Sequence, residues 1–238
     1  MAFGGDFMKN VFITGTNRGL GLELVTQYLD QGRKVFATCR DRSKANELES
    51  LRKSAEGRLE ILEVNLFSDK SINEVSKSFL DQPIDLFINN AGMMGPTSIP
   101  LGSVSGGAWA EVFRVNTIAP LLLAQALLKN IEMGQEKKMI FVSSRVGSIQ
   151  ENSGGSMYSY RSSKTALNQV VKSLSIDLLD RNIWSVALHP GWVLTDMGGP
   201  NALIDVKTSV SGMVSVIEKV GPSDTGKFYN YDGSHIHW

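Results

Sequence analysis

Residues Val11-Phe12-Ile13-Thr14-Gly15-Thr16-Asn17-Arg18-Gly19-Leu20-Gly21 join a continuous apolar run to the start of a segment with helical spacing. Val11, Phe12 and Ile13 are bulky and uninterrupted, as in a strand covered on both faces. Leu20, Leu24 and Tyr28, with Val25 and Leu29, then recur at three and four residues, the repeat of one helical face. Between them, Gly15 permits a tight turn, Gly19 lets the backbone approach a pyrophosphate, and Gly21 allows close packing of helix on strand. Free N–H groups and the dipole of the following helix would receive the anion. The spacing is G-x-x-x-G-x-G rather than G-x-G-x-x-G. The strand before and the helix after therefore carry the inference of a phosphate-bearing cofactor against that of a plain turn.

Outward from this stretch, further apolar runs stand at 35–37, 59–64, 84–88, 139–142, 186–188 and 226–229. Their separations are too long for hairpins, and segments with helical repeats, such as Leu167, Val171, Leu174 and Leu178, lie between them. That order predicts an α/β fold: a Rossmann-type doubly wound parallel sheet of about seven strands, with helices on both faces. No Pro- or Ser-rich linker divides the chain, so residues 10–238 read as one dinucleotide-binding and catalytic domain behind a short tail, 1–9. Two Gly- and Pro-bearing stretches, 92–107 and 198–210, follow strand ends, where open α/β sheets place their ligands. The second is short and leaves the expected substrate site open.

In 238 residues, 24 Lys+Arg balance 24 Asp+Glu, so no net field favours a nucleic acid or a lipid headgroup. The single cysteine, Cys39, allows no intrachain disulfide and fits a reducing compartment. The most apolar stretch, 118–128, is broken by Pro120 and Gln125, and the first ten residues lack a secretory pattern. A cytoplasmic protein without membrane or nucleic-acid partners is expected. His235 and His237 are too few for a metal site, and His189, before Pro190, reads as a packing residue. Cys39 beside Arg40 reads as a small buried hydrophobe rather than a thiol of lowered pKa.

The second strand ends in Ala37-Thr38-Cys39-Arg40-Asp41-Arg42. A basic residue here suits a 2′-phosphate and an acidic one a free ribose hydroxyl. Arg40 comes first, and Arg18 can supply a second cation, so NADP(H) is favoured while Asp41 keeps NAD open. Tyr160 and Lys164 stand four residues apart on one predicted helix face. A nearby ammonium favours the phenolate, lowering the phenol pKa toward the range useful for proton exchange with a carbonyl or alcohol. Tyr158 has only Ser162 at the same spacing, so Tyr160 is preferred. Ser143 and Ser144 follow the fifth strand, where either hydroxyl fits a substrate oxygen.

Taken together, the turn 14–21, Asn89-Asn90-Ala91-Gly92, Ser144, Tyr160 with Lys164, and Pro190-Gly191 followed by Thr195 resemble the short-chain dehydrogenase/reductase family from about Asn10 onward. The run 142–168 and the ending Gly226-Lys227-Phe228-Tyr229-Asn230-Tyr231-Asp232-Gly233 look most like its Sniffer-like carbonyl reductases and C-factor-like proteins. The resemblance implies Tyr160 as general acid/base, Lys164 as the group that tunes it and holds the nicotinamide ribose, and Ser144 as the polariser of the substrate oxygen. Asn116 would anchor a water of the proton relay. The implied cofactor contacts are Gly15, Asn17, Arg18, Gly19, Leu20, Gly21, Arg40, Asn65, Leu66, Asn90, Ala91, Gly92, Tyr160, Lys164, Pro190, Gly191, Val193 and Thr195.

Departures from the family pattern are the long interval between Ser144 and Tyr160, with Gly154-Gly155-Ser156 inside it, and Asn65 where an aspartate is usual. The long interval keeps Ser143 as the alternative polariser. The expected reaction is NADPH-dependent reduction of a small-molecule carbonyl, or the reverse oxidation of an alcohol. An NAD-dependent alcohol dehydrogenase of the same fold and a nucleotide-binding regulator without turnover are the rivals. Met93, Met94, Trp192 and Met197 suggest an apolar substrate pocket. The apolar segment 109–128 suits either deep burial or the seam of a homodimer or homotetramer.

Overall fold

A computed structural model of the chain describes residues 8–79, 81–96 and 99–238. Residues 1–7 of the expected tail, and residues 97 and 98 of the loop 92–107, lie outside the described residues. Seven strands run β1 (Asn10–Thr14), β2 (Lys34–Cys39), β3 (Leu59–Glu63), β4 (Leu86–Asn89), β5 (Lys138–Val142), β6 (Trp184–His189) and β7 (Phe228–Asn230). They form one sheet in the order β3-β2-β1-β4-β5-β6-β7, and every neighbouring pair is parallel. The Rossmann-type expectation is met.

The helices are α1 (Gly19–Asp30), α2 (Asn46–Ser54), α3 (Asp69–Val75), α4 (Gly106–Phe113), α5 (Ala119–Ala126), α6 (Leu128–Met133), α7 (Tyr158–Asp177) and α8 (Val206–Lys219). Because strand side chains alternate, each strand feeds two cores. Val11, Ile13, Val35 and Ile88 pack with Leu24, Val25 and Met213 from α1 and α8. Phe12, Phe36, Phe87 and Phe141 point the other way, against Ala119 and Leu123 of α5 and Leu167 and Val171 of α7. Phe79 meets Phe12 and Phe36 edge-on, at centroid distances of 5.5 and 4.5 Å. Truncating such a fully buried side chain to alanine costs about 3–5 kcal/mol.

The segment 109–128 is not one regular helix. Between α4 and α5 the turn Arg114–Ile118 is π-helical, the Ala119 N–H bonding back to the Arg114 carbonyl. Inserting one residue into the helix rotates Val115, Asn116 and Thr117 inward, and all three are buried. At the opposite end of the sheet, buried Arg33 pairs with Glu136 and Glu218, and buried Lys138 donates to the carbonyls of Ile217 and Glu218 at the end of α8. The chain direction reverses its winding between β1 and β4, so the crevice outside their C-terminal ends is where a doubly wound sheet receives its ligand.

Candidate active site

The glycine turn lies in that crevice. Gly15 and Gly19 have φ of +68° and +56°. A Cβ on Gly21 would stand 2.1 Å from the Gly15 carbonyl oxygen, and one on Gly15 would stand 2.8 Å from Ala91 Cα, so both positions exclude a side chain. Asn17 leads into Arg18, the residue capping α1, which places no side-chain acceptor on the free N–H groups of the first turn. That turn carries no acidic residue, and Leu20 turns toward the core. An uncapped helix start lined by glycine backbone matches an anionic pyrophosphate.

Thr14 and Asn90 tie this turn to the end of β4. The Thr14 hydroxyl accepts from the N–H groups of Asn90 and Ala91 at 3.0 and 2.9 Å, and Asn90 Nδ2 donates to the carbonyls of Thr14 and Gly15 at 3.0 Å each. Asn90 therefore braces the turn with its amide. Gly92 is exposed in the crevice, and a Cβ there would stand 3.5 Å from Lys164 Nζ and 3.4 Å from Asn116 Oδ1.

At the end of β2 the two candidate determinants of the cofactor separate. Asp41 accepts from the Ser43 N–H and hydroxyl at 3.0 and 2.6 Å and pairs with Lys44, contacts that hold its carboxyl below the usual range. Arg42 pairs with Glu49. Arg40 is exposed and makes no ion pair among the described residues. Arg18 turns the other way, to Asp196 at 2.7 Å, with both side chains about three-quarters exposed. Beyond β3, Asn65 is exposed and its Oδ1 accepts from the Phe67 N–H at 3.0 Å, while the Leu66 carbonyl accepts from Arg114 Nε at 2.9 Å.

Tyr160 and Lys164 both lie on α7, as the four-residue spacing predicts, and both are buried. The expected direction of the phenol pKa is not met. Burial pushes Tyr160 up to about 12, with the neighbouring Ser144 hydroxyl opposing, and burial pushes Lys164 down to about 8. Lys164 Nζ stands 5.8 Å from the Tyr160 ring centroid and donates to the Val142 carbonyl at 2.9 Å. Desolvation, which residue spacing does not reveal, sets the direction, and the Ser144 hydroxyl is what opposes it. At neutral pH Tyr160 is a phenol and holds its proton.

The two serines also part. Ser143 donates to Asn168 Oδ1 at 2.6 Å, so its hydroxyl is committed, whereas Ser144 lies beside the Tyr160 hydroxyl. The interval before Tyr160 folds through Gly155, Ser156 and Met157 at φ of +58°, +52° and +49°, which turns the chain into α7. Asn116 is wholly buried, its Nδ2 donating to the Met93 carbonyl and the Ser163 hydroxyl and its Oδ1 accepting from the Met93 N–H. Both amide hydrogens of Asn116 are thus committed, and its Oδ1 keeps one acceptor position. Over the other rim, the Pro190 carbonyl accepts from Ser209, Gly191 has φ of +86°, and Val193 bridges Ile204. Thr195 Cγ2 lies 3.6 Å from a Cβ placed on Gly19, so this loop meets the glycine turn.

Sequence reading missed the bracing roles of Thr14, Ser163, Asn168 and Arg114. Only Thr14 carried a signal, since a hydroxyl at a strand end beside an Asn-Ala turn is suited to accept its N–H groups. His189 packs under the site with its pKa pushed down to about 4 by burial and by Arg145, and Cys39 is buried with its thiol pushed up. Among the described residues, no helix is long and apolar enough to cross a membrane.

A parallel sheet with this glycine crevice, and a buried Tyr, Lys and Ser at its edge, defines a dinucleotide-binding oxidoreductase of the α/β class. The family model described as short chain dehydrogenase matches residues 9–202, and the chain belongs to that family. The carbonyl reductase Sniffer of D. melanogaster superposes with a TM-score of 0.92 at 40% identity, covering 97% of this chain and 100% of that one. The NADPH-bound carbonyl reductase from chicken fatty liver gives 0.89 at 35%, covering 97% and 99%. The C-signal protein of Myxococcus xanthus is 42% identical over 156 residues, 66% of this chain and 93% of that protein.

Proposed function

We propose that the protein reduces a small-molecule carbonyl, an aldehyde, ketone or quinone, at the expense of NADPH. The single observation that carries this reading is the buried trio at one point of the sheet edge: a protonated Tyr160, Ser144 beside its hydroxyl, and Lys164 one turn on. The glycine turn 14–21 would hold the pyrophosphate, Asn65 and Leu66 the adenine end with Asn90, Ala91 and Gly92 beside it, and Pro190, Gly191, Val193 and Thr195 the nicotinamide end. Arg40 would meet the 2′-phosphate, which is why we assign NADPH; Asp41 is already engaged in its own turn. When bound, the cofactor supplies the hydride.

The chain supplies the rest. Ser144 donates to the substrate oxygen and orients it. Tyr160 then gives its hydroxyl proton to that oxygen as negative charge develops there. A phenol held near 12 is a weak acid against bulk water but a sufficient donor to an alkoxide, and the Lys164 ammonium one turn away stabilises the phenolate left behind. Lys164 is also the cation we assign to the nicotinamide ribose. Residues 10–238 serve as one catalytic unit in this reading, and exposed Trp192, Leu194 and Met197 at the rim favour apolar substrates.

The reading is tested by following NADPH and NADH consumption with quinones, diketones and aromatic aldehydes. Wild-type turnover preferring NADPH, lost in Tyr160→Phe with cofactor binding retained, is expected. Binding of NADPH with no turnover of any carbonyl would instead support a second reading, a nucleotide-dependent signalling protein. That reading is favoured by the identity to the protein named C-signal.

A further inference from the structure

Three residues of the π-helical turn Arg114–Ile118 hydrogen-bond to segments around the site. Asn116 fixes the Met93 backbone beyond β4 and the Ser163 hydroxyl next to Lys164. Thr117 donates to the Ser163 carbonyl at 2.9 Å. Arg114, at the other end of the turn, faces the loop beyond β3. Its Nε donates to the Leu66 carbonyl at 2.9 Å and its NH2 group pairs with Asp69 at 2.6 Å. The Arg114 side chain is largely covered, at 18% exposed, while its partner Asp69 lies on the surface.

What makes this contact informative is how little else holds the loop from outside. The Asn65 N–H goes to Ser71, the Phe67 N–H to Asn65, and the Ser68 N–H to the Asn65 carbonyl, all within six residues in sequence. Among the described residues, Arg114 is the one hydrogen-bond donor to segment 65–68 from a distant element. A charged donor is roughly twice as strong as a neutral one, so the Nε bond to the half-buried Leu66 carbonyl is the anchor, and the ion pair to exposed Asp69 adds a second point of attachment.

We propose that Arg114 is a positioning residue for the cofactor: it sets the Leu66 backbone that faces the adenine, and so governs affinity at the adenosine half alone. The inference rests on the NADPH reading above. It gives Arg114 no contact with substrate and no part in proton transfer, so its loss raises KM for NADPH while kcat at saturating cofactor keeps its value.

The experiment is fluorescence titration of wild type, Arg114→Met, Arg114→Lys and Asp69→Asn with three probes: NADPH, adenosine 2′,5′-bisphosphate and reduced nicotinamide mononucleotide. Arg114→Met is expected to weaken NADPH and the bisphosphate by the same factor, on the order of tenfold, and to leave the mononucleotide unchanged. Arg114→Lys is expected to recover little, because one ammonium cannot span both acceptors. Asp69→Asn, which keeps the bond to Leu66 and serves if Arg114→Met does not fold, should cost about two- to threefold on the same two probes. Equal binding of NADPH by wild type and Arg114→Met, or equal loss on the mononucleotide, would overturn the inference while the NADPH reading stands. Failure of wild type itself to bind NADPH would overturn the reading and this inference with it.

Discussion

Replacing Lys164 by Met should make the protein more stable and catalytically inert. The ammonium is buried, with one hydrogen bond, to the Val142 carbonyl, and burial brings its pKa from the ordinary 10.5 to about 8. Because the folded value lies below the unfolded one, the unfolded chain binds the proton more tightly between those two pH values. Stability from this group is therefore greatest above about 10.5 and is lost as pH falls through about 8. At roughly 1.4 kcal/mol for each pH unit, the full penalty at pH 7 is on the order of 3 kcal/mol. Methionine fills a similar volume without charge, but leaves the Val142 carbonyl short of a donor, worth about 1 kcal/mol. The net gain at pH 7 is about 2 kcal/mol, or roughly 5 °C in Tm for a chain of this size. Thermal and urea unfolding of both proteins, without added nucleotide, should show that gain at pH 7. It should fade between pH 8 and 10.5 until wild type is equal or slightly ahead. A less stable Lys164→Met at pH 7, or a difference flat across that window, would refute the burial account of the lysine.

Other consequences follow from separate parts of the fold. Arg40→Ala should lower the preference for NADPH over NADH by at least tenfold, whereas Asp41→Asn should leave it within about twofold, as read from the ratio of kcat/KM values. Gly21→Ala drives a Cβ to 2.1 Å from the Gly15 carbonyl oxygen, so nucleotide affinity in a titration should fall by tenfold or more. Asp196→Ala releases Arg18 from an exposed ion pair and should tighten NADPH by up to about fivefold with NADH unchanged; equal effects on both would detach Arg18 from the phosphate. Burial alone would raise the Glu136 pKa, but Arg33 and Lys9 hold it below the ordinary 4.5, so its stabilisation is present above that value and is lost as pH falls below it. Glu136→Gln should cost about 3 kcal/mol at pH 7 in urea unfolding, and the gap should close in acid.

The sheet was legible because its strands are buried on both faces: continuous apolar runs such as Val11-Phe12-Ile13 leave no alternation to confuse with a solvent-facing hairpin. The glycine turn was legible for a similar reason, since each glycine answers a local steric demand that its neighbours in sequence reveal. What sequence spacing could not supply was environment. Four residues between Tyr160 and Lys164 place them on one face, but the burial that reverses the expected pKa direction comes from segments distant in sequence. The ion pair of Arg18 joins residues 178 apart, and the Arg114 bond to Leu66 spans 48. The π-helical turn left no trace in the pattern because Val112, Val115, Ala119 and Leu123 still recur at three and four residues across it. Ser143 and Ser144 were indistinguishable until Asn168 claimed the first.

Direct hydride transfer with a proton from Tyr160 is tested most plainly with NADPH deuterated at the transferable position of nicotinamide C4, incubated with the best aldehyde or diketone of the panel. Wild type should place one deuterium on the carbinol carbon of the alcohol, seen by mass spectrometry. Tyr160→Phe should bind the cofactor equally well and yield no labelled alcohol beyond background. An unlabelled product from wild type, or full labelling by Tyr160→Phe, would contradict the account.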